Sequence, residues 1–569
     1  MHNRAADQTI AMPLRMPLRN RFGARSTAAF ASGVIFALVC GPRFTPPAFG
    51  QTISVGLNAA TSRVLPANFY GANGQARNIV PWDQSPSPNQ PLYNPNFPSA
   101  LKGLHYGILR FPAGTGGNYW NWQTGDFVSN YLLTNTTNPP SPYPSLLSEL
   151  ESELGSAAQR SGAQIKGDFV LNALSDPLCA PPAIPGKQYC SFTPTSPNEG
   201  YQLQLLNSLA QQNVKIVYAE IGNEYWLTWA DYENVYPNAQ SYATLANKWA
   251  TDIHRMFPSL KVAAVAAHCH SCGSGTRLST WNSDLMSVLT VPDAVAIHLY
   301  TPSGLTGSKV TNSNAWMMLL TPFEQWAAVL AEDFPALAKA GSPRSAVYAP
   351  SVWFTEFNVL KDDTVGTWAH GLYLATYDLL FATNSRVTMA LHHETQDAME
   401  AYGDIFAGTS GFSNQTVNIT TALDGYTASG LTIREIDTAA LGQTFAQALT
   451  FPGAPTFTGS TQPVIIGELF AGGGQRPVQA ILLNLDSAPH TVDVSGVIGT
   501  GTFRQIYGEA GAYVDGNTKV GGFEAWDDVN PTTQTNLTLT TGALVANSMT
   551  LQPFSITRLI STRRPQRRP

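Results

Sequence analysis

The stretch YAEIGNEYW, residues 218–226, is an apolar, β-prone run that ends in an amide–carboxylate pair, Asn223-Glu224, followed by two aromatics. A second run, SVWFTEFN at 351–358, places Glu356 in a comparable position. Two carboxyl groups facing one another across a cleft can break the bond to an acetal carbon. One protonates the departing oxygen, and the other attacks the carbon or activates water. The two glutamates lie 132 residues apart in the chain, so a fold must bring them together. Glu220 is a third acid on the same strand parity as Glu224. It reads as a surface acid or as half of a structural ion pair.

Other residues suit the same chemistry. Asn223 can hydrogen-bond a hydroxyl beside the scissile bond. Arg110, in GILRFP, can keep a neighbouring nucleophile ionised, and Tyr300, in AIHLY, can donate to it. Trp353, Trp226 and Trp120 offer flat apolar faces of the kind that sugar rings stack on. His298 reads equally as a hydrogen-bonded core histidine or as a cleft residue, and so do His392 and His393 in LHHET. Taken singly, each residue has an ordinary core or surface explanation. Their order and spacing carry the reading.

The elements that must position them alternate. Short apolar runs at 67–71, 107–111, 168–172, 216–221, 261–266, 293–298, 351–356 and 386–391 read as strands. Amphipathic runs at 142–160, 200–212, 240–256, 322–339, 364–382 and 434–449 read as helices. Eight strands alternating with helices predict an α/β fold, a (β/α)8 TIM barrel spanning 67–454. In such a barrel Arg110, Glu224, Tyr300 and Glu356 fall at or beyond the ends of the second, fourth, sixth and seventh strands, where active-site loops gather. No Gly-x-Gly-x-x-Gly opens the first unit, and GTGG at 114–117 lacks the Lys-Ser/Thr of a phosphate loop.

Beyond about 455 the texture changes to short β-prone segments divided by Gly, Asn, Asp and Pro, which predicts a C-terminal antiparallel β-sandwich over 455–562. Residues 51–66 include a strand that can return to that sandwich. The Ser/Thr/Gly/Asn-rich stretch 403–433 reads as an elaboration near the barrel rim, and 563–569 as a basic disordered tail. Residues 1–50 read as a signal peptide and leader. Arginines precede the apolar run Ala28–Cys40, and Ala48-Phe49-Gly50 then offers small residues for cleavage near Gly50. The expected location is secreted or periplasmic.

Composition narrows the partners. The chain has 569 residues, 43% apolar and 12% charged, and a formal net charge of −6. Without residues 1–50, which hold six Arg and one Asp, the balance becomes 26 basic against 37 acidic residues, a net of −11. Such a surface repels a nucleic-acid backbone, so no nucleic acid is expected. No later segment stays apolar long enough to span a membrane. In an exported chain Cys179 with Cys190, and Cys269 with Cys272, are candidate local disulfides. The cluster HCHSC at 268–272 also holds metal-ligand types, but no second group of comparable density accompanies it, and we expect no metal and no cofactor.

The phrases LRFPAGTGGNYWNW (109–122), EIGNEYW (220–226), AIHLY (296–300) and WFTEF (353–357) resemble those of the glycoside hydrolases of clan A, whose catalytic (β/α)8 barrel often carries a C-terminal β-sandwich. The resemblance extends over roughly residues 51–560. It implies that Glu224 is the acid/base, Glu356 the nucleophile, Arg110 and His298 or Tyr300 supporting groups, and the reaction retaining hydrolysis of a polysaccharide or oligosaccharide. Within the clan the phrases are most similar to those of arabinofuranosidase and β-glucuronidase relatives. Ala113 stands where a Gly is usual and Tyr225 where Pro is common, which marks an outlying member. Two other readings stay open: an inactive carbohydrate-binding protein on the same fold, and a polysaccharide lyase using Tyr300, His298 and Arg110. The residues leave the sugar, the exo or endo mode and the oligomeric state undetermined.

Overall fold

The computed structural model describes residues 52–74, 103–112, 114–120, 122, 166–174, 197–211, 215–269, 274–305, 309–338, 348–360, 364–397, 405–406, 426–511 and 537–562. Eight parallel strands close into a barrel: β1 (Tyr70–Asn73), β2 (Ile108–Phe111), β3 (Lys166–Leu171), β4 (Ile216–Ile221), β5 (Lys261–Val265), β6 (Ala294–Thr301), β7 (Ser351–Val359) and β8 (Val387–His393). Each overlaps one of the eight runs read from the sequence. Closure comes from β8 pairing with β1, Ala390 opposite Tyr70. These strands are buried on both faces, which is why they read as near-continuous apolar runs rather than alternating ones.

The floor of the barrel is filled by Ile108, Ala263, Ala294, Ala296, Trp353, Met389 and Leu391. Three alanines on β5 and β6 leave the volume that the Trp353 indole occupies, a large-against-small fit that keeps the interior dense. Around the strands lie α1 (Glu199–Gln211), α2 (Ala239–Met256), α3 (Arg277–Val288), α4 (Ala315–Ala328), α5 (Trp368–Ala382) and α6 (Ala428–Ala440). Several begin at side-chain caps. The Asn238 amide oxygen accepts from Ser241 N at 2.8 Å, and Thr276, Thr367 and Thr427 cap α3, α5 and α6 in the same way. Among the described residues, no helix is long and apolar enough to cross a membrane.

Two helix expectations need correction. The helix read at 322–339 starts earlier, at Ala315, with Pro322 inside it, and continues through a π-turn at Val329–Asp333. The helix read at 434–449 begins at Ala428 and stops at Ala440; Phe445–Thr450 is instead a strand, β9. Gly442, at φ +68°, turns the chain out of the helix, and the following FAQALT pairs antiparallel with β10 (Ile465–Ala471), so tertiary pairing overrides a helix-compatible pattern. The helix expected at 142–160 lies outside the described residues.

C-terminal to these lie β11 (Gln479–Asn484), β12 (His490–Asp493), β13 (Gly501–Gly508), β14 (Leu537–Ala543), β15 (Ser548–Leu551) and β16 (Ser555–Ser561). They form a large antiparallel sheet in the order β14-β13-β16-β11-β10-β9 and a small one around β12 and β15. Gly56–Leu57 and Arg63–Val64 pair with β9, and Ile53–Ser54 with β12. The barrel is thus joined to a C-terminal β-sandwich. Where α6 meets β13 and β16, the buried Glu435 carboxylate accepts from Arg504 Nε at 2.6 Å and Arg558 Nε at 2.8 Å. Trp368, at the start of α5, donates through Nε1 to the Phe554 carbonyl at 2.6 Å.

Candidate active site

The end of β4 is held in an unusual backbone. Gly222 has φ +90° and Glu224 φ +52°, a left-handed value that non-glycine residues seldom adopt. A Cβ at Gly222 would stand 2.1 Å from the Tyr225 ring, so both conformation and space require glycine there. Asn118, on the 3-10 turn Thr115–Tyr119 that follows β2, clamps this loop. Its Oδ1 accepts from Asn223 N at 2.9 Å, and its Nδ2 donates to Asn223 O at 2.7 Å and to Tyr232 Oη at 2.9 Å. Tyr225 is fully buried among Tyr232, Tyr236 and Tyr242 and anchors the far side of the loop. Glu224, between these anchors, keeps part of its side chain exposed.

Arg110, at the end of β2, is wholly buried and organises the centre. Its Nε and Nη2 donate to Glu220 at 2.6 and 3.0 Å, its Nη1 to Glu356 Oε1 at 2.7 Å, and its Nη2 to Asn223 Oδ1 at 2.9 Å. Asn73 Oδ1, at the end of β1, is 3.3 Å from Nη1. Glu220 is therefore the buried partner of an ion pair, and its reading as a surface acid is corrected. Planar guanidinium donors suit this forked arrangement, and burial makes each contact count for more.

Glu356 reaches the same centre through an irregularity in β7. The register between β7 and β6 shifts between Phe354 and Glu356. Strict alternation would send Thr355 and Glu356 to opposite faces, yet Thr355 Oγ1 donates to Glu220 Oε2 at 3.2 Å while Glu356 accepts from Arg110. Tyr300, from β6, donates to Glu356 Oε2 at 2.6 Å. His298 Nδ1 is 2.9 Å from Glu224 Oε1 and 3.5 Å from Glu356 Oε2, and His393 Nε2 is 3.9 Å from Glu356 Oε2. His392 is set apart; it faces Asp378 at 3.0 Å inside the core.

Burial alone would raise the pKa of Glu356. His298, His393, Arg110 and the Tyr300 hydroxyl reverse that and lower it to about 2. Burial alone would likewise lower His298, but the charges of Glu356 and Glu224 outweigh it and raise the imidazole above its ordinary value. An oxygen of Glu224, a ring nitrogen of His298 and an oxygen of Glu356 lie within 4.8 Å of one another, and this set could hold a cation. Both Glu356 oxygens already accept strong hydrogen bonds, one from a guanidinium, so the donors fit a hydrogen-bonded acid pair better than a metal.

Of the three tryptophans read as sugar platforms, only Trp226 is partly exposed. Trp353 is corrected: it is 2% exposed in the barrel floor, with Nε1 bonded to Thr388 Oγ1 at 2.9 Å. Trp120 is corrected as well, since it is equally buried edge-on against Phe111. Neither presents a face to a ligand, because an inward-pointing strand residue and a turn residue facing the core look alike in one dimension. Cys179, Cys190 and Cys272 lie outside the described residues, and with them both proposed pairings; His268 Nδ1 faces Asp333 at 2.7 Å. The sequence reading missed Asn73, Asn118, Thr355 and Asp168, a fully buried acid on β3 opposite Arg110. Asn118 lies in the quoted phrase GGNYW and Thr355 in WFTEF, whereas Asn73 and Asp168 carried no local signal.

No protein-family profile and no curated protein sequence matches the chain. Solved structures do. A family 51 α-L-arabinofuranosidase from Bifidobacterium longum matches with a TM-score of 0.62 at 14% identity, over 89% of this chain and 99% of that one. The family 51 arabinofuranosidase of Xanthomonas axonopodis pv. citri matches with a TM-score of 0.55 at 14% identity, covering 90% and 99%. A 4-O-α-L-rhamnosyl-β-D-glucuronidase from Fusarium oxysporum gives 0.54 at 13% identity, covering 90% and 100%. The chain shares with these structures a closed eight-stranded parallel barrel joined to a C-terminal β-sandwich.

Proposed function

We propose that the chain is a retaining glycoside hydrolase in which Glu224 is the acid/base and Glu356 the nucleophile. The observation that carries this is the approach of the two carboxyl groups, with an oxygen of each within 4.8 Å of the other. That approach is closer than the roughly 6.5–9.5 Å at which inverting enzymes hold their carboxyls and agrees with the about 5–5.5 Å of retaining ones. Their environments differ in the direction the roles need. Glu356, held down to about 2, is an anion at any working pH. Glu224 lies on the more exposed side, beside His298.

In the first step Glu356 attacks the anomeric carbon while Glu224 gives its proton to the leaving oxygen. In the second, Glu224 takes a proton from water, which displaces Glu356 and releases the sugar. Asn223 supports the glycone, because its Oδ1 is committed to Arg110 while its buried Nδ2 has no partner among the described residues and can donate to a sugar hydroxyl. Arg110 has each of its nitrogens engaged by acids and amides of the site, so it is not available to pair with a uronate. This favours a neutral sugar, and the similarity to α-L-arabinofuranosidases makes arabinofuranosides of plant polysaccharide the first substrates to test.

The test is a screen of aryl α-L-arabinofuranosides, xylosides, glucosides and glucuronides, with arabinoxylan, xylan and β-glucan. NMR then follows the first-formed anomer. We expect net retention, loss of turnover in Glu356→Ala, and partial azide rescue of Glu224→Ala on a nitrophenyl glycoside. A first product of inverted configuration, or full activity in either variant, would overturn the assignment.

A further inference from the structure

Asp168 is a buried acid that the proposed mechanism does not use. It is 0% exposed, sits on β3 in register with Arg110 of β2, and lies one strand away from Glu220 of β4. Among the described residues, neither of its oxygens meets an N–H or hydroxyl donor. Beside it on the neighbouring strand stands another carboxyl group, that of Glu220, two residues beyond Tyr218, its own register partner. Two carboxylates cannot hydrogen-bond without a proton between them. Glu220 already accepts on both oxygens, from Arg110 Nε and Nη2 and from Thr355 Oγ1, so it fills the role of the anion. The proton therefore belongs to Asp168.

We propose that Asp168 is a positioning residue that works as an un-ionised acid, donating to Glu220 so that a single negative charge lies beneath Arg110 and the Nη1 side of the guanidinium stays aimed at Glu356. The charge count agrees. Arg110, already shared by Glu220 and Glu356, is the one cation that pulls on Asp168 among the described residues, so a further buried anion there would be poorly matched and the acid neutralises instead. The groups facing Asp168 are Arg110 from β2, Glu220 and Tyr218 from β4, and, across Arg110, Glu356 from β7. Burial first, and then the charge of Glu220, push the Asp168 carboxyl well above the ordinary range, against the opposing pull of Arg110.

Infrared spectroscopy of the full chain tests this without reference to any substrate. Protein labelled with carbon-13 at the aspartate carboxyl should show, at neutral pH, an un-ionised carbonyl band that moves with the label and is missing in Asp168→Asn. Glu220→Gln serves as the second variant: its amide can donate to Asp168, which then ionises, and the band should vanish there too. A label-sensitive band that survives in both variants, or no such band in the parent protein, would overturn the proposal. The kinetic arm rests on the proposed glycosidase reading. Asp168→Ala should lower kcat about tenfold with KM within about twofold, and Asp168→Asn, which donates without ionising, should restore most of that loss. Equal loss in Ala and Asn variants would also overturn it, whereas absence of glycosidase activity in the parent would sink the function and leave the infrared result standing.

Discussion

Replacing Arg110 by Met removes the cation shared by Glu220 and Glu356 while nearly keeping its apolar volume. Removing one partner of a buried ion pair typically costs about 3–5 kcal/mol, since the other charge is left uncompensated. The structure gives a second route to the size. Glu356 is held near 2 against an ordinary 4.5, and about 1.4 kcal/mol per pH unit makes the favourable surroundings of its anion worth about 3 kcal/mol. Arg110 shares that figure with His298 and His393, and adds its two bonds to Glu220. For a barrel of roughly 390 residues, an unfolding entropy of about 2 cal/mol/K per residue turns 3–5 kcal/mol into a Tm lowered by about 4–6 °C.

The sign with pH follows from the depressed pKa. The stability that Glu356 contributes is present above its unfolded value and is lost as pH falls through about 2. In Arg110→Met the carboxyls take up protons at higher pH than in the parent, so the deficit should be full at pH 7 and shrink towards pH 4. Differential scanning calorimetry at both pH values, with kcat/KM measured alongside, provides the assay. A deficit below about 1 kcal/mol at pH 7, or one that does not change with pH, would refute the claim that Arg110 acts by matching buried charge.

Two further outcomes follow from the packing. Glu435→Gln should destabilise by about 2–4 kcal/mol at neutral pH, because Arg504 and Arg558 lose a buried anion; burial opposes, but these arginines and Arg434 hold its pKa below the ordinary range, so the loss should diminish as pH falls below about 4. Calorimetric melts from pH 7 to pH 3 read this directly, and a constant difference would contradict it. Trp353→Leu should cost about 2–3 kcal/mol through the cavity left among the floor alanines while KM stays within about twofold. A raised KM with an unchanged melting temperature would return Trp353 to the sugar site.

Much of the architecture is local chemistry and was legible in one dimension. Strands buried on both faces must be runs of apolar residues, so all eight barrel strands announce themselves. Amide–acid and aromatic–acid phrases at strand ends place Glu224 and Glu356 on one rim once a barrel is assumed, because every parallel strand ends on the same side. The tertiary structure decided what depends on neighbours distant in sequence. FAQALT could be helix or strand until β10 offered it a ladder. Trp353 could face a cleft or a floor until the alanines of β5 and β6 made room for it. Glu220 reads as a surface acid until Arg110 of another strand claims both of its oxygens. Side-chain alternation would have set Thr355 and Glu356 on opposite faces, and only the register shift against β6 turns both towards the centre. Periodicity reports which way a regular backbone points. Charge matching, close packing and bulges belong to pairs of strands, and no single stretch of the chain contains both members.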